Sequence, residues 1–171
     1  MARKTRQVET RLTAEYIKQY YSEFPSILGQ PLGVVPTSLM EQEGYQRALG
    51  IMRPFRPEAD ALVILPRHLL LIEAKVWHVI NGLAKLPMYK SLVPVTPELR
   101  EYMPREVLME LVVGWTSPNL EIMARDHGIA VKVFCPDWLT KVVQGMHHYW
   151  TKEYREERER KLGLREYFGV E

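Results

Sequence analysis

The chain has 171 residues and a net charge of +2, from 23 basic and 21 acidic side chains. Hydrophobic residues make up 46% of it and charged residues 26%, a balance that excludes a disordered chain and a coiled-coil rod. Cys135 is the only cysteine, which excludes an internal disulfide and a site built from several thiolates of one chain. No apolar run approaches the roughly 18 residues of a membrane span, and no signal-like stretch follows the basic N-terminus. We therefore expect a cytoplasmic protein without a membrane partner.

The first third of the chain predicts one helix, one loop and one strand. Apolar and aromatic side chains recur at every fourth position over residues 12–24, which is the spacing of one helical face, and Pro25 ends the pattern. Residues 25–38 are rich in Pro and Gly and predict a loop. Residues 47–55 predict a strand or an extended segment leading into the central region.

The central region predicts a hairpin followed by a helix. Residues 60–65 and 69–75 are short apolar runs separated by three turn-like residues, which predicts an antiparallel pair of strands. The second run is apolar on both faces, as is typical in the middle of a covered sheet. A helix is expected from about residue 76, with a kink or an end near Leu86 because Pro87 interrupts it. The side of this helix that we expect to be buried carries Trp77, Ile80, Ala84 and Met88.

The second half of the chain alternates strands with helices. Residues 108–113 predict a strand, 117–127 a helix with a serine cap, and 130–134 a further strand. This alternation implies an α/β sandwich with a mixed sheet. Because no repeat or long linker interrupts the chain, residues 1–148 are expected to form one domain. Residues 149–171 predict a charged helical tail, whose apolar end would dock on this subunit or on a partner.

Two charges stand at the end of an otherwise apolar strand. Glu73 and Lys75 are two positions apart, so they point to the same face. Burying a carboxylate and an ammonium costs several kcal/mol unless they are paired or bind an ion. The predicted hairpin would bring Asp60 beside Glu73, and a divalent cation relieves the repulsion between two such carboxylates. The alternative is that Glu73 and Lys75 form a structural salt bridge at the strand end, with Asp60 in a turn and no catalytic role.

These residues resemble a nuclease signature. Pro57-Glu58-Ala59-Asp60, twelve further residues and Glu73-Ala74-Lys75 are similar to the PD-(D/E)xK motif, although the proline is three positions from the aspartate instead of adjacent. The predicted order of elements over residues 12–113 also resembles the core of that superfamily. The resemblance implies a restriction-endonuclease-like three-layer sandwich, a mixed sheet of about four to five strands flanked by helices. It further implies that Asp60, Glu73 and the main-chain carbonyl of Ala74 bind Mg²⁺, or Mn²⁺ in its place. Lys75 would orient or activate the attacking water.

Five further residues are candidates for metal or nucleic-acid contacts. Members of the superfamily often carry another acid on the first helix, and Glu15 matches that position unless it is an exposed helix glutamate. Lys85 and Tyr89 have the spacing of a Gln and a Tyr found in RecB-like members, with Lys in place of Gln. Lys85 would contact a phosphate or the site, or else be a surface lysine. Arg53 and Arg56 flank the segment leading into the signature and would contact a phosphate backbone.

The expected function is metal-dependent hydrolysis of DNA phosphodiester bonds. A hard cation held by carboxylates supplies a bound water as nucleophile and offsets the charge that develops on the phosphate. DNA is the expected partner, together with a second copy or another protein held through the C-terminal tail. The alternative is a catalytically idle subunit of a phage particle or of a DNA-processing assembly. Resolvase-type and restriction-type enzymes share the chemistry and differ in substrate, and the sequence does not distinguish endonuclease from exonuclease action.

Overall fold

The computed structural model describes residues 2–146, 156 and 159–160. The chain divides into two compact units, residues 1–134 and 135–171. The predicted boundary at residue 148 and most of the predicted charged tail, including its apolar end, lie outside the described residues. Residues 156 and 159–160 are helical. In the described part, no helix combines the length and the apolar character that crossing a bilayer requires.

Six helices and five strands are described, together with short 3₁₀ segments after α3 and α4. The helices are α1 (Ala2–Tyr20), α2 (Thr37–Glu43), α3 (Tyr45–Met52), α4 (Val79–Leu92), α5 (Pro118–Asp126) and α6 (Asp137–Met146). The strands are β1 (Ser26–Pro31), β2 (Glu58–Ile64), β3 (His68–Lys75), β4 (Glu106–Val113) and β5 (Ile129–Val133).

The five strands form one mixed sheet in the order β1-β2-β3-β4-β5. The pairs β1–β2 and β2–β3 are antiparallel, whereas β3–β4 and β4–β5 are parallel because a helix separates the strands of each of those pairs along the chain. The predicted α/β fold, a mixed sheet of four to five strands flanked by helices, is confirmed. The order of elements through β4 is α1, β1, α2, α3, β2, β3, α4 and β4, so two helices separate the first strand from the hairpin.

The two faces of the sheet are covered by different helices. Successive side chains of a strand point to opposite faces. Glu73 and its neighbour in register, Leu111, face α4, where a Cβ added to Gly82 would lie within 3.5 Å of both side chains. Glu110, next to Leu111 in β4, therefore points the other way, and it meets Tyr16 of α1. Strand β3 is buried at every position after His68, as its apolar run predicts, and β2 and β4 are buried over most of their length.

The predicted hairpin and the predicted capped helix are both observed. Strands β2 and β3 pair through Ala61 with Ile72 and through Ile64 with Leu69. The side chain of Ser117 accepts a hydrogen bond from the backbone N–H of Leu120, so it caps α5 as expected. Both features depend on residues close together in sequence, which explains why the sequence predicts them.

Two segments of the first third differ from the prediction. Residues 26–31 form strand β1 within the predicted loop, and Pro31 is tolerated because it is the last residue of an edge strand. Residues 47–55, predicted to be extended, belong to α3 and the 3₁₀ segment Arg53–Phe55 instead. Ala48 is the buried residue of this short helix. The first helix begins at Ala2, ten residues earlier than expected, and ends at Tyr20.

Helix α4 continues through Pro87 to Leu92 and does not end near Leu86. An internal proline costs roughly 3 kcal/mol. Burying Leu86 and Tyr89 against the sheet opposes that cost, at about 1.5–3 kcal/mol for a large apolar side chain. The buried side of the helix also differs from the predicted one, because Ile80 and Met88 are exposed.

A candidate active site at the end of strand β3

The hairpin brings Asp60 and Glu73 together. Ala61 pairs with Ile72, so Asp60 and Glu73 come next in the antiparallel register and face each other across the two strands. Asp60 Oδ2 accepts a hydrogen bond of 2.9 Å from the backbone N–H of Ala74, which fixes the carboxylate at the strand end. The spacing of the signature predicts this arrangement because a hairpin is set by local sequence.

The ammonium of Lys75 lies among three carboxylates. Its Nζ is 3.1 Å from Glu73 Oε1, 3.2 Å from Glu9 Oε2 and 3.6 Å from Asp60 Oδ2. It also donates to the main-chain carbonyl of Ala74 at 3.0 Å. Burial by itself would lower the pKa of Lys75, but the carboxylates of Glu73, Asp60 and Glu9 raise it above its usual value. Lys75 is therefore an ammonium at neutral pH.

Glu9 is the acid that α1 contributes to this cluster, and the sequence analysis missed it. Besides its contact with Lys75, its Oε1 accepts a hydrogen bond of 3.3 Å from the backbone N–H of Val76. Glu15, the expected acid, pairs with Arg11 at 2.8 Å. Positions six apart on a helix differ by about 9 Å along the axis and about 120° around it, so Glu9 and Glu15 belong to different faces. Glu9 precedes the predicted start of the helix, and for that reason no periodic signal identified it.

Glu73 is the most buried charge of the cluster, with 1% of its side chain exposed. Its Oε1 accepts a hydrogen bond from the ammonium of Lys85 and forms an ion pair with that of Lys75, whereas its Oε2 is buried and has no partner among the described residues. Burial and the carboxylate of Asp60 raise the pKa of Glu73, and the two ammoniums oppose that rise. A buried carboxylate oxygen left without a donor is costly, and a bound cation is one way to satisfy it.

Lys85 reaches the cluster from α4. Its Nζ is 3.2 Å from Glu73 Oε1 while 44% of its side chain remains exposed. It therefore contacts the site and remains accessible to a phosphate, the two roles that the sequence left open. Tyr89 lies one turn further along, with its ring centroid 6.0 Å from Lys85 Nζ. Tyr89 is only 6% exposed and burial raises its pKa, so the expectation of a direct nucleic-acid contact is corrected to a packing role beside Lys85.

The close approach of α4 depends on Gly82. A Cβ at this position would lie 2.6 Å from Lys75 Cγ and 2.9 Å from Leu111 Cδ1. Real Cβ atoms do not come so close to other heavy atoms, so any other residue would push the helix or Lys75 aside. Gly82 thus allows Lys85 to reach Glu73 across the helix–sheet interface.

The two arginines expected to follow a phosphate backbone differ in exposure. Arg56 is buried, and its guanidinium forms hydrogen bonds of 2.7 and 2.8 Å with the carboxylate of Glu98. The predicted phosphate contact of Arg56 is therefore corrected to a structural ion pair. Arg53 is 58% exposed and contacts Glu58 at 3.2 Å, so it remains accessible near the site.

The residues at the strand end fit a hard divalent cation. Among the described residues, no group of three or more His, Cys, Asp or Glu side chains is arranged to hold a metal ion. Two carboxylates, those of Asp60 and Glu73, and the carbonyl of Ala74 nevertheless suit Mg²⁺, because that ion keeps several waters and commonly uses one or two carboxylates. The unpartnered Oε2 of Glu73 agrees with this fit. Three carboxylates (Glu9 included) against two ammoniums leave one net negative charge, which favours a cation.

A second buried carboxylate lies on the opposite face of the sheet. Glu110 is 3% exposed, and its Oε1 accepts a hydrogen bond of 2.8 Å from the hydroxyl of Tyr16. The hydroxyl of Tyr21 lies 3.2 Å from both oxygens. Burial raises the pKa of Glu110, and the two hydroxyls partly offset that rise. Burial and Glu110 also raise the pKa of Tyr16. Both oxygens of Glu110 have partners, in contrast to those of Glu73.

Comparison with known proteins gives only distant similarities. No family model matches the chain, and no curated protein sequence matches it. Among solved structures, a repair endonuclease from Pyrococcus abyssi is similar, with 13% identity and a TM-score of 0.46 over 74% of this chain. A protein of unknown function is similar with 8% identity and a TM-score of 0.44 over 72% of this chain. The chain spans about half of each, 46% and 56% of their lengths. Neither similarity is high enough to support a conclusion about activity.

Proposed function

We propose that this protein is a metal-dependent nuclease that hydrolyses DNA phosphodiester bonds at the end of strand β3. One observation carries the proposal. Glu73 is buried among charges, opposite Asp60 and beside Lys75, and one of its oxygens has no partner among the described residues. An unpaired buried acceptor costs about 1–3 kcal/mol, and a bound cation would offset that cost.

Asp60, Glu73 and the carbonyl of Ala74 are the groups that would hold Mg²⁺ or Mn²⁺. The cation, when bound, would supply positive charge beside the phosphate and lower the pKa of a bound water. The burial of Glu73 strengthens its attraction for a cation, because electrostatic interactions grow as water is excluded.

Lys75 would orient the attacking water and stabilise the anion that develops. Its raised pKa keeps it protonated, so it would donate a hydrogen bond and would not accept the proton of the water. Glu9 holds the ammonium from the side of α1 and also fixes the backbone after Lys75. Such preorganised charge contributes to catalysis because it needs no rearrangement in the transition state.

The substrate would be held by exposed cations around the cluster. Lys85 and Arg53 are about half-exposed, and each is anchored by one carboxylate, so their remaining N–H groups are free to donate to phosphate oxygens. Contacts of this kind give affinity that does not depend on sequence and that falls with salt. Cleavage of both strands of a duplex by one site per chain would favour a dimer, which remains part of the proposal.

Cleavage of plasmid and linear DNA in Mg²⁺, Mn²⁺ or EDTA tests the function. We expect metal-dependent cutting by the wild type, and its loss in Lys75→Ala and Asp60→Asn. Lys90→Ala is the matched control, because Lys90 is an exposed lysine of α4 without a contact to the cluster. Nicked or linearised plasmid would identify an endonuclease, and shortening of linear DNA alone an exonuclease. If the folded wild type leaves every substrate intact in both metals, the nuclease proposal is refuted and the idle-subunit alternative takes its place.

A further inference from the structure

A pocket of about 380 Å³ lies along β1, the strand at the edge of the sheet. It is lined by residues 27–31 of β1, by Gln46, Gly50 and Arg53, and by the Arg56–Glu98 pair. The volume is near the lower end of the roughly 300–1,000 Å³ typical of small-ligand sites. It therefore suits one small planar group with its substituents, and it is too small for a double helix.

The pocket lies beside the candidate active site. The residues on either side of Gly29 pair with the residues on either side of Asp60, so Gly29 and Asp60 lie across from each other on neighbouring strands. Paired strands are roughly 4.8 Å apart. Arg53 Nη2 donates to the carbonyl of Gly29 at 3.3 Å and contacts Glu58 Oε2 at 3.2 Å, two positions before Asp60. A group bound in the pocket would thus adjoin any phosphate held at Asp60.

The lining has the chemistry of a nucleotide site. The two arginines of the lining each pair with one carboxylate, Arg53 with Glu58 and Arg56 with Glu98. Arg56 is committed to Glu98, whereas Arg53 is 58% exposed and retains N–H groups for a phosphate oxygen. The exposed amide of Gln46 carries both a donor and an acceptor, as the edge of a nucleobase does, whereas Gln30 is buried and donates to the carbonyl of Pro31. Apolar lining residues, Ile27 and Leu49, would contact the flat faces of the base.

We propose that this pocket receives one unpaired nucleotide of the substrate, next to the phosphate that is cleaved. The inference rests on the proposed function and specifies its substrate class. A base reaches such a pocket only after leaving the stack, and the energy required is least where the base is already unpaired. The preferred substrate is therefore DNA with an unpaired nucleotide beside the cleaved bond, and a fully paired duplex binds less well.

Binding in EDTA tests the pocket without relying on cleavage. Fluorescein-labelled duplexes, one fully paired and one with a single unpaired nucleotide at its centre, are titrated with protein and followed by fluorescence anisotropy. We expect the wild type to bind the second duplex about tenfold more tightly, the equivalent of one well-made hydrogen-bonded contact. Equal affinity of the wild type for both duplexes would overturn the proposal.

The variant Gly50→Phe fills the pocket from α3. Gly50 lines the pocket, and a Cβ at this position would meet no atom within 4 Å, so a side chain can be added there without displacing the core. We expect the affinity ratio between the two duplexes to fall close to one, and a retained tenfold ratio would refute the pocket. Gly145→Phe is the matched control, because Gly145 is a helical glycine with the same open surroundings outside the pocket. Its ratio should stay at the wild-type value.

A second variant and a cleavage assay distinguish failure of the pocket proposal from failure of the nuclease proposal. If circular dichroism shows that Gly50→Phe is unfolded, Gln46→Ala takes its place, since Gln46 is an exposed pocket residue. We expect that variant to reduce the ratio, and an unchanged ratio would refute the pocket. A wild type that prefers the unpaired nucleotide but cuts nothing in Mg²⁺ or Mn²⁺ would support the pocket and refute the nuclease. Cutting without any preference for the unpaired nucleotide would support the nuclease and refute the pocket.

Discussion

Two buried carboxylates on neighbouring strands of the same sheet have opposite surroundings. Glu110 on β4 faces α1, where neutral tyrosine hydroxyls donate to both of its oxygens. Glu73 on β3 faces α4, where two ammoniums share one oxygen and the other has no partner among the described residues. Burial alone therefore does not identify a functional acid. The informative signal is a buried carboxylate that is surrounded by charge and still incompletely satisfied.

The largest expected difference between the two acids is in activity. Glu73→Gln should reduce cleavage by about 10³-fold, or ~4 kcal/mol, because an amide cannot replace a carboxylate as a cation ligand beside the reacting phosphate. Glu110→Gln should cleave at close to the wild-type rate, since the proposed active site lies on the other face of the sheet. Single-turnover cleavage in Mg²⁺ measures both variants. Equal losses in the two variants would contradict the distinction between the faces.

The packing of α4 over the cluster gives the next largest effect. Gly82→Ala should lower the free energy of unfolding by about 1–3 kcal/mol, because the new methyl group would overlap Lys75 and Leu111. Gly50→Ala provides the matched comparison in an open part of α3, where alanine is favoured over glycine by up to ~1 kcal/mol. Urea denaturation measures both changes. A stabilised Gly82→Ala would show that this close approach imposes no constraint.

On the opposite face, the hydroxyl of Tyr16 should contribute to stability and not to activity. Tyr16→Phe removes the donor 2.8 Å from Glu110 and should cost about 1–2 kcal/mol, with cleavage unchanged. Tyr20→Phe is the control on the same helix, because Tyr20 is 53% exposed, and surface changes of this kind usually stay within about 0.5 kcal/mol. Equal costs for the two variants would argue against a special role for the Tyr16–Glu110 hydrogen bond.

The smallest effect is a change in the pH dependence of stability. Burial raises the pKa of Glu110 above its ordinary value of 4.5, so the folded state holds this proton more tightly than the unfolded state. The resulting stabilisation is present below pH 4.5 and is lost as pH rises through the folded-state pKa. Glu110→Gln does not titrate. As the pH rises from about 4 to 8, the wild type should therefore lose stability relative to this variant. Urea denaturation at several pH values measures the difference. A constant difference across that range would contradict the raised pKa.

The sequence predicts the candidate site as far as local structure defines it. Asp60, Glu73 and Lys75 belong to one hairpin, so their spacing and the apolar run of β3 are sufficient to bring them together. Glu9 contacts Lys75 across 66 positions of the chain, and no periodic pattern connects the two. The sequence does not distinguish a surface role from a site role for Lys85, because the answer depends on where α4 packs. The helix end predicted at Pro87 is wrong, because tertiary burial of the helix outweighs the local cost of the proline.

The sequence alone determined the α/β class, the central hairpin, the capped helix α5 and the three charged residues of the signature. Each of these follows from the alternation of side chains or from turn and cap chemistry within about ten to fifteen residues. Only the tertiary structure decided that β1 pairs at the sheet edge, that Arg56 is buried against Glu98, and that Glu73 has one unpartnered oxygen. Those properties depend on which distant segments pack together, and packing is set by the summed burial of the whole core and not by any local pattern.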